Sequence, residues 1–134
     1  MTILDEIRLT LPLPTLLSRA FLNNKKTGGK FKSKEYKDWI AEAEIAMMKH
    51  KKYKIVGDNW LQVDYVYYTK TYLDKPRKDG TDKKIIDTFN FEKCTSDFLS
   101  DHIEGFEDHK IIDGRVRKRH SDRREVEIII KELR

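Results

Sequence analysis

The chain has 134 residues, 38% of them charged, with a formal net charge of +5 and a pI near 9.2. That length fits one domain, residues 1–134, built around one core. Its apolar runs, such as LPLPTLL at 11–17, are too short to span a bilayer, and its single cysteine, Cys94, excludes an internal disulfide or a paired-cysteine zinc site.

Residues 6–13 alternate polar and apolar and predict a first strand, closed by Pro14. Residues 22–32, rich in Asn, Gly and Lys, read as a basic loop. Ser33 has the character of an N-cap for a helix running to about residue 50. The apolar face of that helix would be Tyr36, Trp39, Ile40, Ala43 and Met47, at helical spacing and therefore core.

Residues 60–73 have the aromatic and β-branched composition of a strand, and 74–84 carry the Pro, Gly and charge of a loop. A second helix is expected over roughly 90–102, with Phe91, Cys94, Phe98 and Leu99 on its buried side and Gly105 beyond its end. Cys94 reads there as a small hydrophobe. Two strands, about 110–118 and 125–133, follow, joined by a polar turn containing His120, Ser121 and Asp122. The order β–α–β–α–β–β predicts an α+β domain, a small mixed sheet packed by two helices.

Charge is unevenly spread. Lysines gather at 25–37, 49–54 and 70–84, and arginines at 115–124. Such clusters beside an acidic segment favour a polyanionic partner, nucleic acid. Lys25, Lys26, Lys30, Lys32, Arg117, Lys118 and Arg119 are the candidate phosphate contacts. With Asp5 and Glu6 near the start and no basic-then-apolar leader, a cytoplasmic protein without membrane contact is expected.

The acidic segment is 87–113. Asp87, Asn90, Glu92 and Lys93 stand at the mouth of the second helix, and Glu107 and Asp108 form an acidic turn after it. Carboxylates at both ends of one short helix can converge on a hard cation, and Mg2+ (or Mn2+) takes oxygen ligands of this kind. A cation so held polarises a phosphate and activates water, the requirements of phosphodiester hydrolysis. Each acid also has a plainer reading: Asp87 as a helix cap, Asp108 as a turn residue. Lys93 fits either a phosphate contact or an i, i+4 pair with Asp97. His50, His102, His109 and His120 match no metal-ligand spacing.

Several stretches together resemble the RusA-type Holliday junction resolvases of phages and prophages. Asp87-Thr88-Phe89-Asn90 with Lys93 three residues on is similar to that family's acidic stretch running into a helix. Phe106-Glu107-Asp108 and the run Ile111 to Val116 are similar to its second acidic turn and following strand. LTLPLP at 9–14, GGKFKSKEYKDWI at 28–40 and the closing V-x-I-x-I strand extend the likeness over nearly the whole chain. The resemblance implies that Asp87 and Asp108 are metal-binding, catalytic acids, that Asn90 supports the site and that Lys93 is catalytic. It implies a metal-dependent endodeoxyribonuclease that cuts branched DNA in recombination and repair, working as a homodimer.

Phe89 stands where the family has its second aspartate. Three outcomes are open. Another acid substitutes, with Glu92 nearest and Asp82, Glu107 and Asp113 as further candidates; the chain binds metal weakly and cuts slowly; or it binds DNA or a protein partner without cutting.

Overall fold

A computed structural model describes residues 3–50, 52–55, 59–76, 78–80 and 83–133. Four long strands form the central sheet: β1 (Ile3–Pro12), β4 (Trp60–Thr69), β7 (Ile111–His120) and β8 (Glu125–Leu133), in the order β1-β8-β4-β7. β8 pairs antiparallel with both β1 and β4, and β4 pairs parallel with β7, so the sheet is mixed. The expected α+β architecture is the one observed.

Parallel neighbours need a crossover. Here it carries α3 (Glu92–His102), while α2 (Lys34–Met47) follows β1 through α1 (Leu17–Ala20). Alternation along the strands sets the buried face. Ile7, Leu9 and Leu11, then Leu61, Val63, Tyr65 and Tyr67, then Val126, Ile128 and Ile130, form the core with Tyr36, Trp39 and Ala43 of α2 and Cys94, Phe98 and Leu99 of α3. Trp39 meets Phe98 edge to face at 5.3 Å, joining the two helices.

α3 is fixed on β4 by more than apolar contact. The Tyr67 and Thr95 hydroxyls are 2.7 Å apart, and the Thr95 hydroxyl donates to the Phe91 carbonyl at 3.0 Å. Tyr65 and Ser96 make a second hydroxyl contact at 2.8 Å. Each such bond is worth about 1 kcal/mol net, and each also fixes the rotation and register of α3.

Ser33 does cap α2, its hydroxyl accepting from the Tyr36 amide at 3.2 Å. Some expectations are corrected. Residues 22–32 are not wholly loop, because β2 (Phe21–Asn23) and β3 (Lys30–Lys32) pair as a hairpin. The 60–73 strand stops at Thr69, and β5 (Tyr72–Pro76) with β6 (Lys83–Ile85) forms a second small hairpin inside the segment read as a loop. The expected 90–102 helix is two pieces, a 3₁₀ turn Thr88–Asn90 and then α3. Among the described residues no helix is long and apolar enough to cross a membrane.

Candidate active site

The turn carrying Asp87 is held at three points. The Ile86 amide donates to the Thr71 carbonyl at 2.9 Å. The Lys118 ammonium donates to the Ile86 carbonyl from β7. At the far end, the Asn90 side chain accepts from the Ser18 amide at 3.2 Å and donates to the Ser18 hydroxyl at 3.3 Å. Asn90 therefore ties α1 to the acidic turn, both ends of its amide being engaged by one residue. Asp87 is exposed, and its side chain makes no capping hydrogen bond, so its carboxylate is not committed to the turn.

Glu92 opens α3. One of its carboxylate oxygens accepts from the Ser96 hydroxyl at 2.6 Å. Since Ser96 gives its proton to Glu92, the hydroxyl contact with Tyr65 must run from the phenol to Ser96. The result is a directed chain, Tyr65 to Ser96 to Glu92, rising from the core to the surface. Both Tyr65 and Ser96 are buried.

Asp108 lies exposed at the start of a second 3₁₀ turn, Asp108–Lys110. The chain reaches that turn through a tight passage at Gly105. Gly105 has φ +86°, and a Cβ there would stand 2.1 Å from the Ile55 carbonyl oxygen. Only glycine allows that approach. Lys110, largely buried, donates to the Gly105 carbonyl at 3.3 Å and ties the turn back to this passage.

The charges of Glu92 and Asp108 are both felt at Tyr65 and at Lys93. Burial is the main cause that drives the Tyr65 phenol pKa upward, and the Glu92 and Asp108 carboxylates both add to the rise. Lys93 is shifted upward first by its hydrogen bond to Asp97 and the attraction of that carboxylate, with Asp108 and Glu92 adding to it. The Lys93–Asp97 separation is 2.9 Å, the i, i+4 pair. Lys93 is thus a charged group bound on one side to Asp97.

The other acids sort themselves by face. Asp113 pairs with Arg115 at 3.7 Å and lies opposite Gln62 in the β4–β7 register, on the sheet face turned away from α3. Glu107 pairs with His109 at 3.2 Å. Asp82 lies outside the described residues. Among the described residues, no three His, Cys, Asp or Glu side chains form a group able to hold a metal ion. A cage closed by protein alone does not fit these residues. Mg2+, however, commonly takes one or two carboxylates and completes its shell with waters and substrate phosphates. Two carboxylates such as Glu92 and Asp108 suit that mode of binding, and Asp87 is a further exposed carboxylate.

The basic candidates fall into three places. Lys25, Lys26, Lys30 and Lys32 are all exposed on the β2–β3 hairpin. The hairpin grows directly from α1, the element that touches Asn90, and Ser33 secures its base by donating to the Arg19 carbonyl at 2.7 Å. Arg117 and Arg119 register with Val66 and Tyr68, on the sheet face opposite α3. Lys118 points the other way, into the fold, and its ammonium is engaged by Ile86. Sequence reading missed Ser18, Tyr65, Ser96 and the inward Lys118. Only the alternation of β7, placing Lys118 one step out of phase with Arg117 and Arg119, carried a signal for any of them.

A family model, Endodeoxyribonuclease RusA, matches residues 13–131. No curated protein matches the chain.

Proposed function

Because this chain belongs to the RusA endodeoxyribonuclease family, we propose that it cuts branched DNA, Holliday junctions above all, in recombination and repair, with the help of Mg2+ or Mn2+. The family match over residues 13–131 carries this reading, and the charges of Glu92 and Asp108, both felt at Tyr65 and Lys93, support these two acids as ligands. A divalent cation bound there supplies the polarised phosphate and the activated water. Asp87, exposed at the start of the turn before α3, is a further candidate ligand. Lys93 contributes positive charge where negative charge grows on the phosphate. Ser96, oriented by Tyr65, fixes the Glu92 carboxylate, the kind of outer support that ligand carboxylates require. The two protein carboxylates leave the shell incomplete, so cation binding depends on the DNA phosphate being present.

The hairpin lysines Lys25, Lys26, Lys30 and Lys32 track the backbone next to the site, and affinity gained in this way is salt-sensitive and largely indifferent to sequence. Selectivity for a junction then comes from its shape and deformability. A four-way junction has two-fold symmetry, which a homodimer matches by offering one site to each of two opposed strands. The chain acts in this reading as one cytoplasmic domain.

The test is incubation of a synthetic four-way junction and the matching linear duplex with Mg2+ or Mn2+. The expected result is paired nicks near the branch, few in the duplex and none with chelator. A second reading is favoured by one observation, Phe89 in place of an acid: the chain holds junctions without cutting them. That reading gains if the junction shifts in a gel while no divalent ion produces a nick.

A further inference from the structure

Behind the turn that carries Asp87 lies a cavity of 390 Å3. This is within the range of ligand-binding clefts, roughly 300–1,000 Å3. Leu13, Leu16 and Phe91 give it an apolar floor. Arg19, Lys70 and Arg124 bring positive charge to its lining, and the carboxylates of Glu35 and Asp122 bring hydrogen-bond acceptors. Ile86 and Phe91 both line it, and between them in sequence lies the whole turn from Asp87 to Asn90. Asp87 is therefore the next residue along the chain from one lining residue, and Glu92 the next from another.

Arg124 stands out on other grounds. Its φ is 53°, and it is the one non-glycine residue with positive φ among those described. The conformation is fixed by the Leu13 amide, which donates to the Arg124 carbonyl at 3.0 Å. Glycine would take this conformation without strain. An arginine kept where glycine is easier signals a use for its side chain, and strained residues of this kind gather at functional sites. Arg124 is among the residues that line the cavity.

A cleft that mixes apolar residues with cations and a few acceptors suits a heterocycle joined to a phosphate. We propose that this cavity receives a nucleobase displaced from the stack beside the strand that is cut. The inference rests on the reading of the chain as a junction nuclease. Bases at a branch are the least firmly stacked in the substrate, so their removal from the stack costs least there. A base seated behind the turn would pull its own phosphate across Asp87 towards Glu92 and Asp108, and thereby couple recognition of the branch to placement of the reacting bond.

The experiment uses the full chain and a four-way junction carrying 2-aminopurine next to the branch, with a separate distant dye reporting binding by anisotropy. Ca2+ replaces Mg2+ to hold the complex uncut. Unstacking should raise 2-aminopurine emission several-fold on binding, while a linear duplex with the same base should show no rise. Arg124→Gly, which relaxes the backbone as it removes the guanidinium, should lose at least half of the rise. Leu16→Trp, which fills the slot, should abolish it. Binding by anisotropy without a rise, or the same rise in Arg124→Gly as in the unaltered chain, would overturn the pocket and leave the nuclease reading standing. Failure to bind the junction in preference to duplex would sink both. Should Leu16→Trp not fold, Arg124→Gly decides alone.

Discussion

Phe89 is 69% exposed, two residues past Asp87, in a turn whose ends are both anchored. Nothing packs over it that an acid would disturb, so the position is open to the residue the family carries there. Phe89→Asp should therefore fold normally and bind Mg2+ more tightly without DNA, by about tenfold or more, as calorimetry would read. Lys118 makes a second residue-scale case. Its ammonium holds the Ile86 carbonyl, the peptide group that leads directly into Asp87. Lys118→Met keeps the length but loses the donor, and should slow cleavage by roughly 10- to 100-fold, since displacements near 1 Å at a reacting centre cost that much. Lys118→Arg should recover a large part of the rate. If Lys118→Met changed only salt dependence, the residue would be a DNA contact after all.

Among the elements, the passage from α3 to β7 sets where Asp108 arrives. Gly105→Ala would force a methyl to within 2.1 Å of the Ile55 carbonyl at a φ of +86°. A loss of roughly 2 kcal/mol or more is expected in denaturant unfolding, from overpacking together with backbone strain. Wild-type stability in that variant would mean that the chain can reach the acidic turn by another path. The long elements were readable because their own periodicity states their faces: Ser33 and the Tyr36–Trp39–Ala43 stripe define α2, and EVEIIIKEL defines β8. The short ones were not. α1 and the β2–β3 hairpin exist through contacts made after folding, such as Ser33 to Arg19 and Ser18 to Asn90 across 72 positions. Asp87, Glu92, Lys93 and Asp108 were legible as residue types at suggestive places. That Glu92 and Asp108 share neighbours while Asp113 faces away is decided by sheet register, which no local pattern contains.

The lysines Lys25, Lys26, Lys30 and Lys32 are exposed on the β2–β3 hairpin, and Arg115, Arg117 and Arg119 lie on the sheet face turned away from α3. If the hairpin side is the DNA side, Lys25→Glu with Lys30→Glu should weaken junction binding and flatten its salt dependence. Each lost phosphate contact reduces the slope of log K against log salt by about 0.9. Arg117→Glu with Arg119→Glu should do less, and the reverse ranking would move the DNA to the open face. Catalysis at the two-acid site is tested most directly by single-turnover cleavage of a four-way junction with Mg2+, comparing Asp108→Asn with the unaltered chain at matched junction occupancy. The substitution keeps the size but removes the charge and one acceptor oxygen, so the rate is expected to fall by about 100-fold or more with binding retained. Cleavage by Asp108→Asn as fast as by the unaltered chain would contradict the assignment of Glu92 and Asp108 as the reacting centre.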